Sequence, residues 1–192
     1  MTDLPRRRNS LVGMHVATAT EGRPEPMDPL ALYERELSYV WNTLRRLGIS
    51  DRDLEDRTHD VFATAIERLP AYDPSRPIRP WLFGIIFRVV IGARRLKPAQ
   101  SEIFLASPEA VDDGENPEDL ASAHEEAALV RAALSQVPLE RRAVLVMHDL
   151  DNYPMPEIAA ALELRLNTAY SRLRVGRAEL IKAIRRLRGS QP

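Results

Sequence analysis

The stretch PEIAAALELRLNTAYSRLRVGRAEL, from Pro156 to Leu180, decides the fold of the C-terminal part of the chain. A short apolar pattern that ends at Leu162 predicts one helix, and a longer arginine-rich pattern predicts a second. Only the three residues Glu163–Arg165 separate the two patterns. This spacing is typical of a helix-turn-helix, in which the second helix enters the major groove of DNA.

The second helix has an apolar face and a polar face. Its apolar residues recur at intervals of four, three and four, which places them on one side: Ala169, Leu173, Gly176 and Leu180. The opposite side consists of Asn167, Ser171, Arg174 and Ala178, flanked by Thr168, Tyr170, Arg172 and Arg177. Small polar and arginine side chains are suited to contacts with base edges and phosphates. A solvated basic face without a ligand is the open alternative.

The composition favours helices and excludes several kinds of site. The chain has only 8 glycines in 192 residues, and its 15 prolines cluster between apolar segments. No segment shows the alternation of a strand, so an all-α fold is predicted. The absence of cysteine excludes disulfides, zinc–thiolate sites and a cysteine nucleophile in this sequence, and it fits a reducing cytoplasm.

The net charge of −1 conceals a strong asymmetry along the chain. Residues 99–130 contain nine acidic residues and no lysine or arginine. Residues 165–188 contain eight basic residues and one acidic residue, a net charge of +7. Such asymmetry indicates contact with nucleic acid.

The pattern predicts two small helical domains joined by a flexible acidic linker. Upstream helices are expected from Asp28 to Leu47, from Asp53 to Ala71 and from about Arg79 to Leu96, with Leu30 and Ile66 among their inner residues. The expected organisation is a disordered N-terminal tail (1–27), a first domain of three or four helices (28–97), a linker (98–117) and a helix-turn-helix domain (118–188). The tail lacks the long apolar core of a signal peptide.

The segment from Ser75 to Arg95 is apolar on nearly every side and edged with arginines. It is no membrane span, because the apolar run before Arg88 has seven residues against the roughly twenty that a bilayer requires. One helical face suits the domain core: Leu82, Ile85, Ile86, Val89 and Ala93. Three explanations stay open for the other apolar residues of this segment, Phe83, Phe87, Val90 and Ile91. They could pack on the first helix, contact unstacked bases or be covered by a partner.

These segments together resemble the extracytoplasmic-function (ECF) sigma factors, the small two-domain members of the sigma-70 family. VPLERRAVL (137–145), EIA (157–159) and the T-x-x-S-R-L-x-x-x-R pattern that begins at Thr168 resemble region 4. DLEDRTHDVFATAIERLPAYDPSRPIRPWLFGI (53–85) resembles region 2, through Asp56, Phe62 and RPWLFGI. The resemblance extends roughly from Asp28 to Leu187.

The resemblance implies that region 2 docks on the β′ clamp helices of RNA polymerase core. The corresponding exposed face here consists of Glu55, Asp56, His59 and Asp60. Simple solvation of these charges is one alternative. A metal site is another, because a carboxylate and His59 are three or four residues apart, but no second histidine lies nearby.

The resemblance further implies that region 2 melts the minus-ten element and region 4 reads the duplex minus-thirty-five element. The implied minus-ten residues are Arg76, Arg79, Trp81, Arg88, Arg94 and Arg95, with a loop from Tyr72 to Arg79 bordering a pocket for an extruded base. For Trp81, a place in the core is the competing interpretation. The implied minus-thirty-five residues are Arg165, Asn167, Thr168, Tyr170, Ser171, Arg172, Arg174 and Arg177.

The implied partners are polymerase core (the β′ clamp helices and the β flap), promoter DNA and an anti-sigma factor, without membrane insertion. No cofactor and no catalytic residue is expected, because the polymerase makes the phosphodiester bond. The sequence departs from the family pattern at Phe87, Arg88, Gly92, Glu163 and Arg165. Because Arg165 stands near the start of the second helix, Asn167 could cap that helix instead.

Two other classes of protein compete with this interpretation. A stand-alone helix-turn-helix regulator explains the C-terminal part equally well, but leaves the region 2 pattern without a purpose. A small helical enzyme has little support, because the sequence has no glycine-rich phosphate loop, paired-histidine metal motif or nucleophile elbow.

Overall fold

The computed structural model describes residues 27–96 and 117–189. These residues form seven α-helices: α1 (Pro29–Leu47), α2 (Leu54–Arg68), α3 (Ile78–Leu96), α4 (Pro117–Ser135), α5 (Leu139–Leu145), α6 (Met155–Ala161) and α7 (Leu166–Arg188). Short 3₁₀ turns flank α2, and a π-helical turn (Val146–Leu150) follows α5. The described residues contain no strand, which confirms the all-α class. The predicted tail and linker lie almost entirely outside the described residues.

Helix α1 begins and ends where the sequence predicts. The Asp28 side chain accepts a hydrogen bond from the backbone N–H of Leu30 at 3.2 Å. Gly48 ends the helix with φ 98°, a left-handed conformation that glycine adopts without steric cost. The backbone N–H groups of Gly48 and Ile49 bond carbonyls of the last turn at 3.0 Å, which leaves the carbonyl of Leu47 for donors from elsewhere.

Helices α1, α2 and α3 pack together into an N-terminal helical unit. Leu44 and Val61 are fully buried between them, as expected for inner residues. The prediction that Leu30 and Ile66 face inward is wrong, because their exposed fractions are 62 % and 42 %. Both lie in an end turn of their helices, where packed neighbours no longer cover the side chain.

The inner face of α1 also contains a carboxylate that the apolar pattern did not reveal. Glu36 is only 3 % exposed. Its carboxylate accepts hydrogen bonds from Nε of Arg35 at 2.9 Å and from Nε of Arg79 at 2.8 Å. A buried charge is tolerated when it is paired and hydrogen-bonded in this way. Arg79 therefore joins α3 to α1.

Helices α4 to α7 form a C-terminal helical unit in which α7 packs against α4, α5 and α6. The predicted apolar face of α7 is confirmed, since Ala169, Leu173 and Gly176 are buried and Leu180 is half-buried. A Cβ at Gly176 would lie 3.2 Å from Cδ1 of Leu145. The absent side chain therefore lets α5 and α7 approach closely.

The turn between α6 and α7 is tight. Glu163 has φ 54° in the left-handed region, and the backbone N–H of Leu164 bonds the carbonyl of Ala159 at 2.8 Å. The suggestion that Asn167 caps α7 is wrong. Arg165 holds the extended cap position without a side-chain capping bond, and Asn167 lies exposed within the first helical turn.

The two units share one apolar core, and α3 lies in its middle. Helix α3 contacts α1 and α2 on one side and α6 on the other. Phe83 and Val90 are fully buried and Phe87 is 8 % exposed, whereas Ile91 is half-buried. The apolar character of this segment thus follows from packing against both units.

Candidate nucleic-acid and polymerase interfaces

The first half of α7 presents a row of polar side chains to solvent. Tyr170 is 53 % exposed. Six further predicted minus-thirty-five residues are also exposed: Arg165, Asn167, Thr168, Ser171, Arg174 and Arg177. The eighth, Arg172, is half-buried. The buried face of α7 anchors the helix from behind, so this row points away from the protein. Its spacing over the first turns suits entry into a major groove.

Arg177 differs from its neighbours on α7, because it is held by the segment that follows α5. Its Nε donates to Oδ2 of Asp149 at 2.9 Å, and Nη2 bonds Oδ1 of the same carboxylate. His148 Nδ1 lies 2.7 Å from that Oδ1. The hydrogen bond to Asp149 raises the pKa of Arg177, and the same contact lowers the pKa of Asp149. Arg177 is thus held in orientation and stays charged, paired with the carboxylate of Asp149.

The predicted minus-ten arginines are engaged to very different degrees. Arg76 is only weakly engaged, with a side chain 74 % exposed and a loose pair to Asp73 at 3.7 Å. Arg95 is exposed near the end of α3. Arg88 Nη1 donates to Oε1 of Glu163 in the other unit at 2.6 Å.

The other two minus-ten arginines serve the protein itself. Arg94 Nη2 donates to the carbonyl of Leu47 at 3.2 Å. Arg79 binds Glu36, which raises its pKa, and its guanidinium lies 4.9 Å from the centre of the Tyr39 ring. Both side chains therefore hold α3 against α1.

The loop before α3 is ordered by local contacts. Asp73 Oδ1 accepts from the backbone N–H of Ser75 at 3.0 Å and from its hydroxyl at 2.7 Å, an Asx-type turn. The Tyr72 ring packs on Trp81 with centroids 5.0 Å apart, and the Tyr72 hydroxyl donates to the carbonyl of Arg76. Trp81 is half-buried, so it supports the loop and still has an accessible edge.

The acidic face of α2 has the exposure that a docking surface requires. Glu55, Asp56, His59 and Asp60 are all exposed. Asp60 Oδ2 accepts from Arg57 Nη1 at 2.6 Å, so Arg57 offsets part of the negative charge. Among the residues that the structure describes, no three histidine, aspartate or glutamate side chains are grouped as a metal site.

A buried arginine between the units escaped the sequence interpretation. Arg142 is 3 % exposed and donates to the carbonyls of Val137 at 2.9 Å, Ser135 at 2.5 Å and Leu47 at 3.0 Å. Burial, and then the charge of Arg94, lower the pKa of Arg142 to about 10, which leaves it protonated at neutral pH. Its spacing three residues after the buried Leu139 is the signal in the sequence that could have placed it on an inner face.

A polar cleft of 330 Å³ also lies between the units. At its base, Asp151 accepts from the hydroxyl of Tyr39 at 3.2 Å and from Nη1 of Arg46 at 3.4 Å. Burial raises the pKa of Asp151, although Arg46, Tyr39 and Arg79 oppose it. Burial raises the pKa of Tyr39 as well. Arg46, Tyr39 and Asp151 thus form a second polar contact between α1 and the C-terminal unit.

None of the helices in residues 27–96 and 117–189 has the length and apolarity of a membrane span.

Two family models match the chain, one in each helical unit. Sigma-70 region 2 matches residues 32–97, and Sigma-70, region 4 matches residues 127–180. Over 144 residues the chain is 29 % identical to the RNA polymerase sigma factor CnrH of Cupriavidus metallidurans, covering 71 % of this chain and 75 % of CnrH. It is 29 % identical over 154 residues to the ECF RNA polymerase sigma factor SigE of Mycolicibacterium smegmatis, covering 78 % of this chain and 58 % of SigE.

Solved structures show the same fold. CnrH in complex with the cytosolic domain of CnrY aligns with a TM-score of 0.60 and 24 % identity, covering 85 % of this chain and 89 % of CnrH. The sigma factor RpoE in complex with the anti-sigma factor NepR from Bartonella quintana aligns with a TM-score of 0.56 and 17 % identity, covering 80 % of this chain and 96 % of RpoE. With region 2 and region 4 both matched in order, the chain belongs to the sigma-70 family of RNA polymerase sigma factors and is similar to its ECF members.

Proposed function

We propose that this chain directs RNA polymerase core to specific promoters, with α7 on the minus-thirty-five element and α3 with its preceding loop on the minus-ten element. The observation that carries the proposal is the pairing of a region 2 match with a region 4 match in one chain. A stand-alone regulator would need only the exposed row on α7. It would have no use for an exposed acidic face on α2.

For the minus-thirty-five element, Asn167, Ser171 and Arg174 are proposed to contact base edges. They lie on the exposed face of α7, and their side chains include the donors and acceptors that read bases in the major groove. The proposed contacts to the DNA backbone come from the flanking side chains, Arg165, Thr168, Tyr170, Arg172 and Arg177. For Arg177 the phosphate competes with Asp149.

For the minus-ten element, Arg76, Arg88 and Arg95 are proposed to meet phosphates, because their side chains are exposed and none of them binds α1. Trp81 is a half-buried aromatic ring beside the loop, and the part of its ring that stays accessible could stack with an unpaired base. Arg79 and Arg94 are proposed to act indirectly, by fixing the position of α3 on α1.

For polymerase core, the acidic face Glu55, Asp56, His59 and Asp60 is the proposed contact with the β′ clamp helices, and the C-terminal unit is the proposed contact with the β flap. The chain contributes recognition and melting, and the polymerase performs the chemistry in the cytoplasm. RpoE in the aligned structure is bound to an anti-sigma factor. We propose that an anti-sigma factor also controls this chain.

The decisive experiment is run-off transcription with core polymerase over a genomic template set, followed by mapping of start sites. Addition of the chain should create new, sequence-specific starts. The triple variant Glu55→Lys, Asp56→Lys and Asp60→Lys should lose core binding and keep duplex binding, whereas Glu67→Lys, exposed elsewhere on α2, should keep both. Unchanged start sites together with intact duplex binding would favour the stand-alone regulator.

A further inference from the structure

The first turn of α7 lacks the side chains that usually stabilise the start of a helix. Arg165 occupies the cap position without a side-chain hydrogen bond, and the first turn contains no acidic residue. Helix starts prefer a small polar cap and acidic side chains, because their backbone N–H groups lack partners and the helix dipole is positive there. Departures from local preference are expected where a surface serves a function.

The same turn exposes a large apolar side chain. Leu166, the first residue of α7, is 41 % exposed, whereas the leucines nearest to it in the two helices, Leu162 and Leu173, are buried. Tyr170, four residues later and therefore its neighbour on the helix surface, is also largely exposed. Leu166 and Tyr170 form an apolar strip that the described part of the chain leaves partly uncovered.

The apolar strip adjoins the polar row that is proposed to contact base edges. With about 3.6 residues per turn, Tyr170 lies about 60° from Asn167 and about 40° from Arg174 around the helix axis. Leu166 lies about 40° from Tyr170 on its other side. A helix that places Asn167 and Arg174 in a major groove therefore brings the strip to the same groove, against one of its walls.

The chemistry of the groove limits what an apolar strip can contact there. Most groups on the base edges are hydrogen-bond donors and acceptors, and the C5-methyl group of thymine is the apolar one. Leucine has no polar side-chain atom, so it cannot replace the water that a donor or acceptor would lose. Phosphates suit the neighbouring Arg165 instead. Leu166 is therefore matched to a thymine methyl group.

We propose that the apolar strip selects thymine in the minus-thirty-five element, with the side chain of Leu166, backed by the ring of Tyr170, packed on a C5-methyl group. The Tyr170 hydroxyl stays available for the DNA backbone. Leu166 is then a specificity-determining residue in addition to Asn167, Ser171 and Arg174. This inference rests on the proposed function, because it names a base that the same surface selects.

The test removes the methyl group and nothing else. In a promoter located by start-site mapping, each thymine of the minus-thirty-five element is replaced in turn by deoxyuridine, which keeps the hydrogen-bonding groups and lacks the C5-methyl. Fluorescence anisotropy at fixed salt compares binding by holoenzyme containing the parent chain or Leu166→Ala. At one or more thymines, deoxyuridine should weaken binding by the parent roughly threefold to fivefold, as loss of one buried methyl group does. Leu166→Ala should scarcely respond at those positions.

Two further variants keep the test decisive. Ile181→Ala is the matched control, because Ile181 is 50 % exposed on α7 about four turns beyond Leu166, and it should respond to deoxyuridine as the parent does. Leu166→Met keeps an apolar side chain of similar volume and should retain the response.

The possible failures have different meanings. If the parent and Leu166→Ala were equally sensitive to deoxyuridine, or both insensitive, the thymine contact would be overturned and the proposed function would stand. If holoenzyme with the parent chain bound no promoter sequence-specifically, the proposed function itself would be overturned, and the thymine contact with it.

Discussion

The two arginine-bearing helices, α7 and α3, use their cations differently. On α7, Arg165 and Arg174 are exposed, and neither has an ion-pair partner within the described part of the chain. On α3, Arg79, Arg88 and Arg94 all bind acceptors on α1 or in the turn after α6. An unpaired guanidinium can donate hydrogen bonds to a phosphate directly. Cations that already have acceptors must exchange them first, so Arg79, Arg88 and Arg94 are expected to engage DNA only after a change in the protein, whereas Arg95 is already exposed.

The largest expected effect comes from an arginine that serves the protein alone. Arg142→Ala should lower the free energy of unfolding by about 3 kcal/mol, because three carbonyls lose a charged donor in a buried site. Urea unfolding followed by circular dichroism measures it. Arg141→Ala is the matched control: its pair with Glu179 is partly exposed and should contribute less than about 1 kcal/mol. If Arg142→Ala and Arg141→Ala lowered the free energy of unfolding equally, the proposed difference between internal and surface arginines would be wrong.

The second effect tests whether Arg79 stabilises the folded protein or contacts DNA. Arg79→Ala should cost about 2 kcal/mol of stability, because the buried carboxylate of Glu36 would retain only Arg35. Arg76→Ala, at a far more exposed side chain, should change stability by less than about 0.5 kcal/mol. The same urea titration measures both. A stable Arg79→Ala protein with weakened promoter melting would place Arg79 with the DNA-contacting arginines instead.

The third effect concerns α7 and should appear in binding, with stability unchanged. Arg174→Ala should weaken binding to a minus-thirty-five duplex roughly tenfold, as loss of a base-reading arginine typically does. Fluorescence anisotropy at fixed salt measures the affinity. Arg185→Ala, an exposed arginine about three helical turns further along α7, serves as the control and should have a smaller effect. A loss of stability in Arg174→Ala would show that α7 also relies on its cations internally.

The smallest effect is a pH dependence at the contact between the units. The pKa of Asp151 is raised above its ordinary value of 3.8, so the folded protein favours the protonated carboxyl. The destabilising burial of its charge is therefore absent below the ordinary pKa and develops as pH rises through the raised pKa. Asp151→Asn should accordingly be slightly more stable than the parent at neutral pH, and the difference should vanish on acidification.

Thermal unfolding of both proteins across that pH range measures the difference. Because the comparison is between two proteins at each pH, carboxylates whose pKa is lowered, such as that of Asp149, cancel. A parent that is more stable than Asp151→Asn at neutral pH would mean that Arg46 and Tyr39 outweigh the burial of the charge.

The sequence predicted each unit well because periodicity reports which side of a helix is buried. The ends of α1 at Asp28 and Gly48, and the two faces of α7, follow from local chemistry. The errors at Leu30 and Ile66 have the same origin, since periodicity does not reveal where a neighbouring helix stops.

The contacts between the units could not be predicted in this way. Arg142 looks like a surface residue until its acceptor on α1 is known. The same is true of Glu36 within the N-terminal unit, where Arg79 comes from a different helix. Periodicity also assigns Phe87 no partner, whereas in the structure it belongs to the apolar core that both units share. Gly84, a glycine in the middle of a helix, was one local hint, since a Cβ there would lie 2.6 Å from the carbonyl oxygen of Ala161 on α6.

The end of α1 has a practical consequence for recombining such proteins. A side chain at Gly48 would approach Arg142 Nη1 to 2.6 Å and Arg94 Nη2 to 3.0 Å, so three distant positions form one interlocking set. A chimera that takes its N-terminal unit from one relative and its C-terminal unit from another would inherit only part of this set unless all three residues matched. Such hybrids are expected to keep the apolar core that the two units share but to lose hydrogen bonds at the end of α1, so their units should be held together less firmly than in either parent.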